Sequence, residues 1–238
     1  MIFGVSLAFA ACGQQNDNHA RIAVATNFLE TAKKLETVFE AETDYRIDLV
    51  SGSTGQLYTQ IINGAPYEAF LSADAERVTR LIDDDFGIEE TQFTYALGKI
   101  VLIGAENEDV LTSSTFNKLA LANPDLAPYG VAGMETLKAL DVPQTAYNKI
   151  IYGQNVGQAF GFVKTANADV GFVAQSQIQE GDIYWSVPSS YYNPIHQDGV
   201  SLLRGEQNEA AIAFMEFLQN PQARQLIKSA GYDLAEPI

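Results

Sequence analysis

The chain has 238 residues, of which 47% are hydrophobic and 18% charged, and it carries a formal net charge of −16. This composition predicts one large or two small globular domains and argues against intrinsic disorder. The acidic balance argues against nucleic acid and disfavours anionic membrane surfaces as partners, because both are bound by clustered Lys and Arg. With two histidines and one cysteine, the chain has neither a disulfide nor a His/Cys metal site.

The first twelve residues are apolar and uncharged and end at Cys12. They are shorter than the roughly 20 residues that span a bilayer. Ala8-Phe9-Ala10 fits the cleavage pattern of a secretory signal, although a positive n-region is missing. The segment also resembles a bacterial lipoprotein signal, so Cys12 is either the lipid attachment point or lost with the signal. We assign residues 1–20 to a leader and tether and expect a periplasmic protein, anchored through Cys12 if that residue is lipidated.

Strands and helices alternate along the rest of the chain. Predicted strands lie within 22–27 and 47–53 and at 69–73, 93–105, 119–122, 149–152, 169–174 and 200–203. Predicted helices lie at 28–42, around Leu57 and Ile61, after Asp74, and at 131–140, 156–167, 206–219 and 221–230. This alternation predicts an α/β fold with mainly parallel sheets flanked by helices. In a two-lobed chain, the runs at 95–103 and 191–199 are the candidate crossings, after which the C-terminal helices return to the first lobe.

Three of the predicted helices begin directly after a strand with an uncharged polar cap. Each cap is followed three residues later by an acid or amide: Asn27 and Glu30, Ser53 and Gln56, Asn155 and Gln158. Helix starts at the ends of strands point free N–H donors into the crevice where open α/β sheets bind ligands. None of the three contains Lys or Arg, so together they would bind an anion through neutral donors. Every helix needs a cap, however, and a purely structural role for each remains the alternative.

The sequence lacks complete motifs for nucleotide binding or for a serine hydrolase. There is no phosphate-binding loop of the G-x-x-x-x-G-K-[ST] type and no complete G-x-G-x-x-G. A serine hydrolase could use His196 and Asp198, but no serine lies in a G-x-S-x-G elbow. Tyr129, in the predicted loop 123–130, could donate its hydroxyl to a ligand or cover the core. Val156 would contribute its backbone N–H.

A series of short segments carries a family pattern. They are AVATNF at 23–28, SGSTG at 51–55, QIINGAP at 60–66, FLSAD at 70–74, YALGK at 95–99, NPDLAPYG at 123–130, NVGQ at 155–158, ADVGFV at 168–173 and YYNPI at 191–195. In this order they resemble the periplasmic molybdate-binding proteins of ABC transporters, from about residue 21 to the C-terminus. The run from NGAP to SAD is the most specific part.

The resemblance implies a two-lobed periplasmic-binding-protein fold of type II with the ligand in the inter-lobe cleft. Residues 21–97 with 199–238 would form one lobe and residues 98–198 the other. The protein would bind molybdate, and tungstate with it, and deliver the oxyanion to the permease subunits of an ABC transporter as a monomer, without enzymatic activity or cofactor. Sulfate or another small anion is the alternative ligand, and a Ser/His hydrolase is the alternative of a different class.

The family's oxyanion contacts fall on the helix starts described above. By position they correspond to Thr26, Asn27, Ser53, Thr54, Tyr129 and Val156. In this arrangement molybdenum is bound as its oxyanion, and no side chain ligates the metal directly. Many members place a ligand-contacting tyrosine where this chain has Ala174, and the Tyr129 loop would substitute for it.

Overall fold

The structure is a computed structural model that describes residues 18–235. Cys12 and the predicted leader lie outside these residues, so the expectations for them are not addressed by the structure. Between Asn18 and Ala235, no helix is both long enough and apolar enough to cross a membrane.

Strands and helices alternate through the described range as the sequence predicts. The strands are β1 (His19–Ala25), β2 (Arg46–Gly52), β3 (Ala69–Leu71), β4 (Phe93–Gly98), β5 (Ile100–Ile103), β6 (Leu119–Ala122), β7 (Ile150–Gly153), β8 (Val170–Ala174), β9 (Tyr184–Ser186) and β10 (Ile195–Ser201). The helices are α1 (Leu29–Glu42), α2 (Thr54–Ile62), α3 (Glu76–Asp83), α4 (Asp109–Thr112), α5 (Pro128–Ala139), α6 (Gln144–Tyr147), α7 (Val156–Lys164), α8 (Glu209–Phe217) and α9 (Pro221–Ser229).

The strands form two five-stranded mixed sheets. The first has the order β2-β1-β3-β10-β4 and the second the order β7-β6-β8-β5-β9. In each sheet the first three strands are parallel, and the last two pairings are antiparallel. Of the described strands, only β10 in the first sheet and β5 in the second run against the other strands of their sheet, and each lies next to a crossing between the sheets.

The chain passes between the sheets at two places. Strand β4 of the first sheet and β5 of the second are separated only by Lys99, so the predicted run 93–105 is two strands in different sheets. The return passes from β9 to β10, and β10 belongs to the first sheet from Ile195 onwards. It is a seven-residue strand, longer and earlier than the predicted strand at 200–203.

Each sheet is covered by helices on apolar faces. Helices α1, α8 and α9 pack on the first sheet through a core that includes Leu35, Phe39 and Phe214. Helices α2 and α3 cover its other face through Leu57 and Leu81. The core of the second sheet extends to Ala25 and Ala73 of the first, so the two sheets are joined by apolar contact as well as by chain crossings.

Candidate functional site

A small cavity lies between the two sheets, where helix starts from both meet. Its volume is about 10 Å³, far below the roughly 300–1,000 Å³ of pockets that hold drug-sized molecules. The lining residues are Ala25, Thr26, Asn27, Ser53, Thr54, Ala73, Ala127, Pro128, Tyr129, Asn155 and Val156. All six residues to which the family resemblance assigned ligand contacts therefore border one cavity.

Helix α2 begins at this cavity with the predicted capping box. Ser53 Oγ accepts from the backbone N–H of Gln56 at 3.3 Å, and the Gln56 side chain accepts from the N–H of Ser53. Thr54 Oγ1 accepts from the N–H of Ala73 at 3.2 Å. Both hydroxyl groups are almost completely buried. Neither donates its proton to another group within residues 18–235, so both protons remain available to a ligand.

The start of helix α1 differs from the predicted capping box. The N-cap residue is Phe28, without a side-chain cap bond, and the Asn27 side chain turns away from the helix. Asn27 Nδ2 lies 2.8 Å from Gln197 Oε1, a partner that competes with the cap. The predicted pair of Asn27 and Glu30 is therefore wrong. The Thr26 hydroxyl donates to the carbonyl oxygen of Gly52 at 2.9 Å, and its proton is occupied in this arrangement.

Helices α5 and α7 of the second sheet face α1 and α2 across the cavity. Helix α5 begins at Pro128, three residues earlier than predicted, so Tyr129 lies in its first helical turn and not in a loop. Proline suits this position because its fixed φ matches the helix and the first N–H needs no partner. Helix α7 begins at Val156, and the predicted cap is confirmed, since Asn155 Oδ1 accepts from the N–H of Gln158 at 2.9 Å.

The backbone N–H groups at these helix starts are the available donors of the cavity. Within the described residues, the N–H groups of Asn27, Thr54, Tyr129 and Val156 donate to no backbone or side-chain acceptor. Helix starts carry partial positive charge, so these groups favour an anion. None of the lining residues is Lys, Arg or His. The nearby Arg77 is paired with Asp74, and it also donates to the carbonyl oxygen of Asp125.

A buried polar cluster lies beside the cavity, and no sequence pattern predicted it. Gln197, fully buried in β10, lies within hydrogen-bond distance of Asn27, Tyr95 and Tyr129. Tyr232 donates to the carbonyl oxygen of Asn27 at 2.7 Å. Burial raises the pKa of Tyr95 and Tyr129 well above the usual value and that of Tyr232 to about 12. All three phenols therefore stay neutral at ordinary pH.

Neither Ala174, which stands where many family members have a ligand-contacting tyrosine, nor the alternative hydrolase pair of His196 and Asp198 lines the cavity. Ala174 is fully buried in β8 and is not among the lining residues. The Asp198 carboxylate accepts from Gln92 Nε2 and Thr94 Oγ1, each at 2.7 Å. A bulge separates Gln197 from Asp198 in β10. In the described range, His196 makes no ion pair or hydrogen bond with Asp198, so the geometry offers no Ser/His/Asp arrangement.

Comparisons with known proteins agree with this fold. The family model for bacterial extracellular solute-binding proteins matches residues 20–233. The molybdate-binding protein ModA of Rhodobacter capsulatus is 38% identical over 98% of this chain and 92% of its own length. ModA of Azotobacter vinelandii is 37% identical over 98% of this chain and 97% of its own.

A solved structure gives the same result. The periplasmic molybdate-binding protein of Azotobacter vinelandii superposes with a TM-score of 0.87 at 36% identity, covering 91% of this chain and all of that one. This match confirms the predicted two-lobed periplasmic-binding-protein fold. The chain therefore belongs to the bacterial extracellular solute-binding proteins and, among them, to the family of the molybdate-binding proteins.

Proposed function

We propose that this protein binds molybdate, and tungstate by the same contacts, in the cavity between its two sheets and delivers the oxyanion to an ABC permease. The observation that carries the proposal is the set of four N–H groups, at residues 27, 54, 129 and 156, that have no acceptor within the described residues and border one uncharged cavity. The names of the two ModA relatives support the choice of molybdate.

The available donors are sufficient for tight binding of a dianion. Besides the four N–H groups, the protons of the Ser53 and Thr54 hydroxyls face no protein acceptor in the described range. Hydrogen bonds to a charged group contribute about 1.5–3 kcal/mol each. Six such bonds give about 9–18 kcal/mol, a range that includes the roughly 12 kcal/mol of a nanomolar complex and whose upper part can offset some of the association cost.

Thr26 and Asn27 complete the proposed site in different ways. Thr26 forms part of the wall, because its hydroxyl already donates to Gly52. Asn27 contributes its backbone N–H, and its side-chain amide is the seventh donor once it is oriented towards the cavity. Selection against sulfate would come from cavity size, since Mo–O bonds are longer than S–O bonds.

We propose that the two sheets are the two lobes that close on the ligand. They would comprise residues 21–97 with 199–238, and residues 98–198, except that β10 joins the first sheet from Ile195. The family supports a location outside the cytoplasm. The same proposal includes a lipid on Cys12 and a monomeric state. It also includes the lack of a cofactor and of enzymatic activity.

Isothermal titration calorimetry with molybdate, tungstate, sulfate and phosphate tests the ligand. We expect saturable binding of molybdate and tungstate with one site per chain and weak or no binding of the other two. Tight binding of sulfate without molybdate binding would replace the ligand by the alternative anion. Hydrolysis of generic esters that His196→Ala abolishes would revive the hydrolase.

A further inference from the structure

The buried cluster beside the cavity is centred on Gln197. Its Oε1 lies 2.8 Å from Asn27 Nδ2 and 3.1 Å from the Tyr95 hydroxyl, and its Nε2 lies 3.0 Å from the Tyr129 hydroxyl. Asn27 and Tyr95 belong to the first sheet and its loops, whereas Tyr129 comes from α5 on the second sheet. A fully buried amide needs partners for both of its ends, and these three residues are its only polar partners within the described chain.

In this orientation of the two amides the protons do not match the acceptors. The Tyr95 hydroxyl has one proton but faces two acceptors, Gln197 Oε1 and the carbonyl oxygen of Ser72 at 2.8 Å. The Tyr129 hydroxyl receives an N–H from Gln197 but finds no acceptor for its own proton within residues 18–235. Each of these mismatches leaves a buried polar group without a hydrogen bond that it could make, which lowers the stability of the folded protein.

Asn27 Oδ1 is the third unmatched atom. It accepts no hydrogen bond from the described residues. Among those residues, Ser114 Oγ is the one side-chain polar atom that is both inaccessible to solvent and without a hydrogen-bond partner. Asn27 Oδ1 therefore keeps accessible surface, and the cavity is the space that Asn27 borders. An oxygen placed there would repel a bound oxyanion.

Exchanging oxygen and nitrogen in both amides resolves all three conditions without moving a heavy atom, and it gives up two longer bonds of Asn27 Nδ2, to the hydroxyls of Tyr232 at 3.3 Å and Tyr129 at 3.5 Å. The two ends of an amide have the same shape, so hydrogen-bond partners decide between them. Gln197 Nε2 then donates to Asn27 Oδ1 and to the Tyr95 hydroxyl, which itself donates to Ser72. Gln197 Oε1 accepts the Tyr129 proton, and Asn27 Nδ2 points to the cavity.

We propose that Gln197 is a positioning residue that holds the Asn27 amide with Nδ2 towards the bound oxyanion and ties this donor to Tyr129 of the opposite lobe. The inference rests on the proposed function, because it is the negative charge in the cavity that selects this orientation. Gln197 thereby links one donor of the first lobe to the helix start that supplies another from the second.

A double-mutant cycle tests this role. We expect Gln197→Met and Asn27→Ala each to weaken molybdate binding by roughly tenfold or more, the value of one hydrogen bond to a charged group. The double variant should bind about as weakly as Asn27→Ala alone, because Gln197 acts through Asn27. The matched control is Gln92→Met. It removes an amide that donates to Asp198, the neighbour of Gln197 in β10, and that does not reach the cavity. The affinity of this variant for molybdate should stay within about twofold of wild type.

Each result of the cycle decides the question. Wild-type affinity in Gln197→Met, or a double variant weakened by the product of the two single effects, would show that Gln197 only supports the fold and would overturn the proposal. If the wild-type protein itself binds no molybdate, the proposed function fails first and this inference falls with it.

Nuclear magnetic resonance on the wild-type protein keeps the proposal testable if Gln197→Met does not fold. The side-chain NH₂ signals of Asn27 can be assigned by their loss in Asn27→Asp. We expect these signals to shift on addition of molybdate, and hydrogen-bond couplings to connect the Gln197 NH₂ group to Asn27 Oδ1. Asn27 NH₂ signals that do not respond to molybdate would overturn the proposal.

Discussion

The backbone N–H of Gly55 donates to the carbonyl oxygen of Leu126 at 2.9 Å, joining helix α2 of the first sheet to the loop before α5 of the second. Further contacts cross the same boundary, since Gln56 Nε2 donates to Gln154 Oε1 and Ser176 Oγ donates to the carbonyl oxygen of Asn27. The structure is therefore a closed arrangement in which both lobes contact each other around the cavity. Under the proposed closure of the two lobes, opening would break these bonds and ligand binding would favour them.

In this arrangement Gly157 of α7 lies against Thr26, and a larger side chain at Gly157 would block the contact. A Cβ at Gly157 would lie 2.6 Å from Thr26 Cγ2, whereas a Cβ at Gly161, one turn later, meets nothing within 4 Å. Thr26 cannot turn aside without breaking its bond to Gly52. We expect Gly157→Ala to weaken molybdate binding by roughly tenfold, the loss of about one charged hydrogen bond, with no loss of stability in the free protein.

Gly161→Ala is the matched control for this prediction. It places the same methyl group on the same helix and should leave affinity unchanged while stabilising the protein by about 0.5–1 kcal/mol. Calorimetry and urea unfolding of both variants separate the two effects. Equal affinities of the two variants would show that α7 does not approach Thr26 in the bound state.

Thr54 is expected to act in both binding and stability. Thr54→Val removes the hydroxyl proton available to the anion and also the acceptor for the N–H of Ala73. We expect binding to weaken by about 1–3 kcal/mol and the free energy of unfolding to fall by a similar amount.

Thr59→Val on the same helix provides the comparison. Its hydroxyl donates to the carbonyl oxygen of Gly55, away from the cavity. Its affinity for molybdate should match wild type in calorimetric titration. Unchanged affinity in Thr54→Val as well would remove the Thr54 hydroxyl from the site.

The sequence predicted the features that depend on local patterns. Alternating periodicities gave the strand and helix order, and the caps at Ser53 and Asn155 were recognised because their partners lie three residues away. The start of α5 was misplaced because Pro128 and Gly130 are equally typical of loops. Its correct position depends on packing against the second sheet, which no local pattern encodes.

The polar cluster could not be predicted because its partners are distant in sequence. Asn27 is 170 residues from Gln197 and 205 from Tyr232. The competition of Gln197 for the Asn27 amide also explains why the predicted cap failed: a local bond was replaced by a buried, long-range one. The polar roles of Tyr95 and Tyr232 could not be recognised either, because the sequence pattern of a buried tyrosine is the same as that of an apolar core residue.

Molybdate should raise the thermal stability of the protein. A ligand that binds only the folded state at a hundredfold excess over its Kd stabilises by about 2.7 kcal/mol. For a chain of this length that corresponds to a rise in Tm of roughly 5–11 °C. Differential scanning calorimetry with sulfate as the comparison measures it. A shift with sulfate and none with molybdate or tungstate would reject the assignment.

The buried tyrosines should make stability fall steeply at high pH. Burial raises the pKa of Tyr232 to about 12 in the folded state, against about 10 in the unfolded chain. Below about pH 10 the phenol is protonated in both states, and its contribution is constant. Between about pH 10 and 12 only the unfolded chain loses the proton, so the free energy of unfolding falls by about 1.4 kcal/mol per pH unit for this group.

Urea unfolding at several pH values, with Tyr232→Phe as the comparison, checks this sign. The variant loses the bonds to Asn27 and Ser176, so it should be less stable at neutral pH but should decline less steeply above about pH 10. Molybdate affinity, by contrast, should stay constant from about pH 6 to 9, because the one titratable lining residue, Tyr129, remains protonated there. Parallel stability curves for the two proteins would mean that the Tyr232 hydroxyl ionises as readily in the folded state as in the unfolded chain.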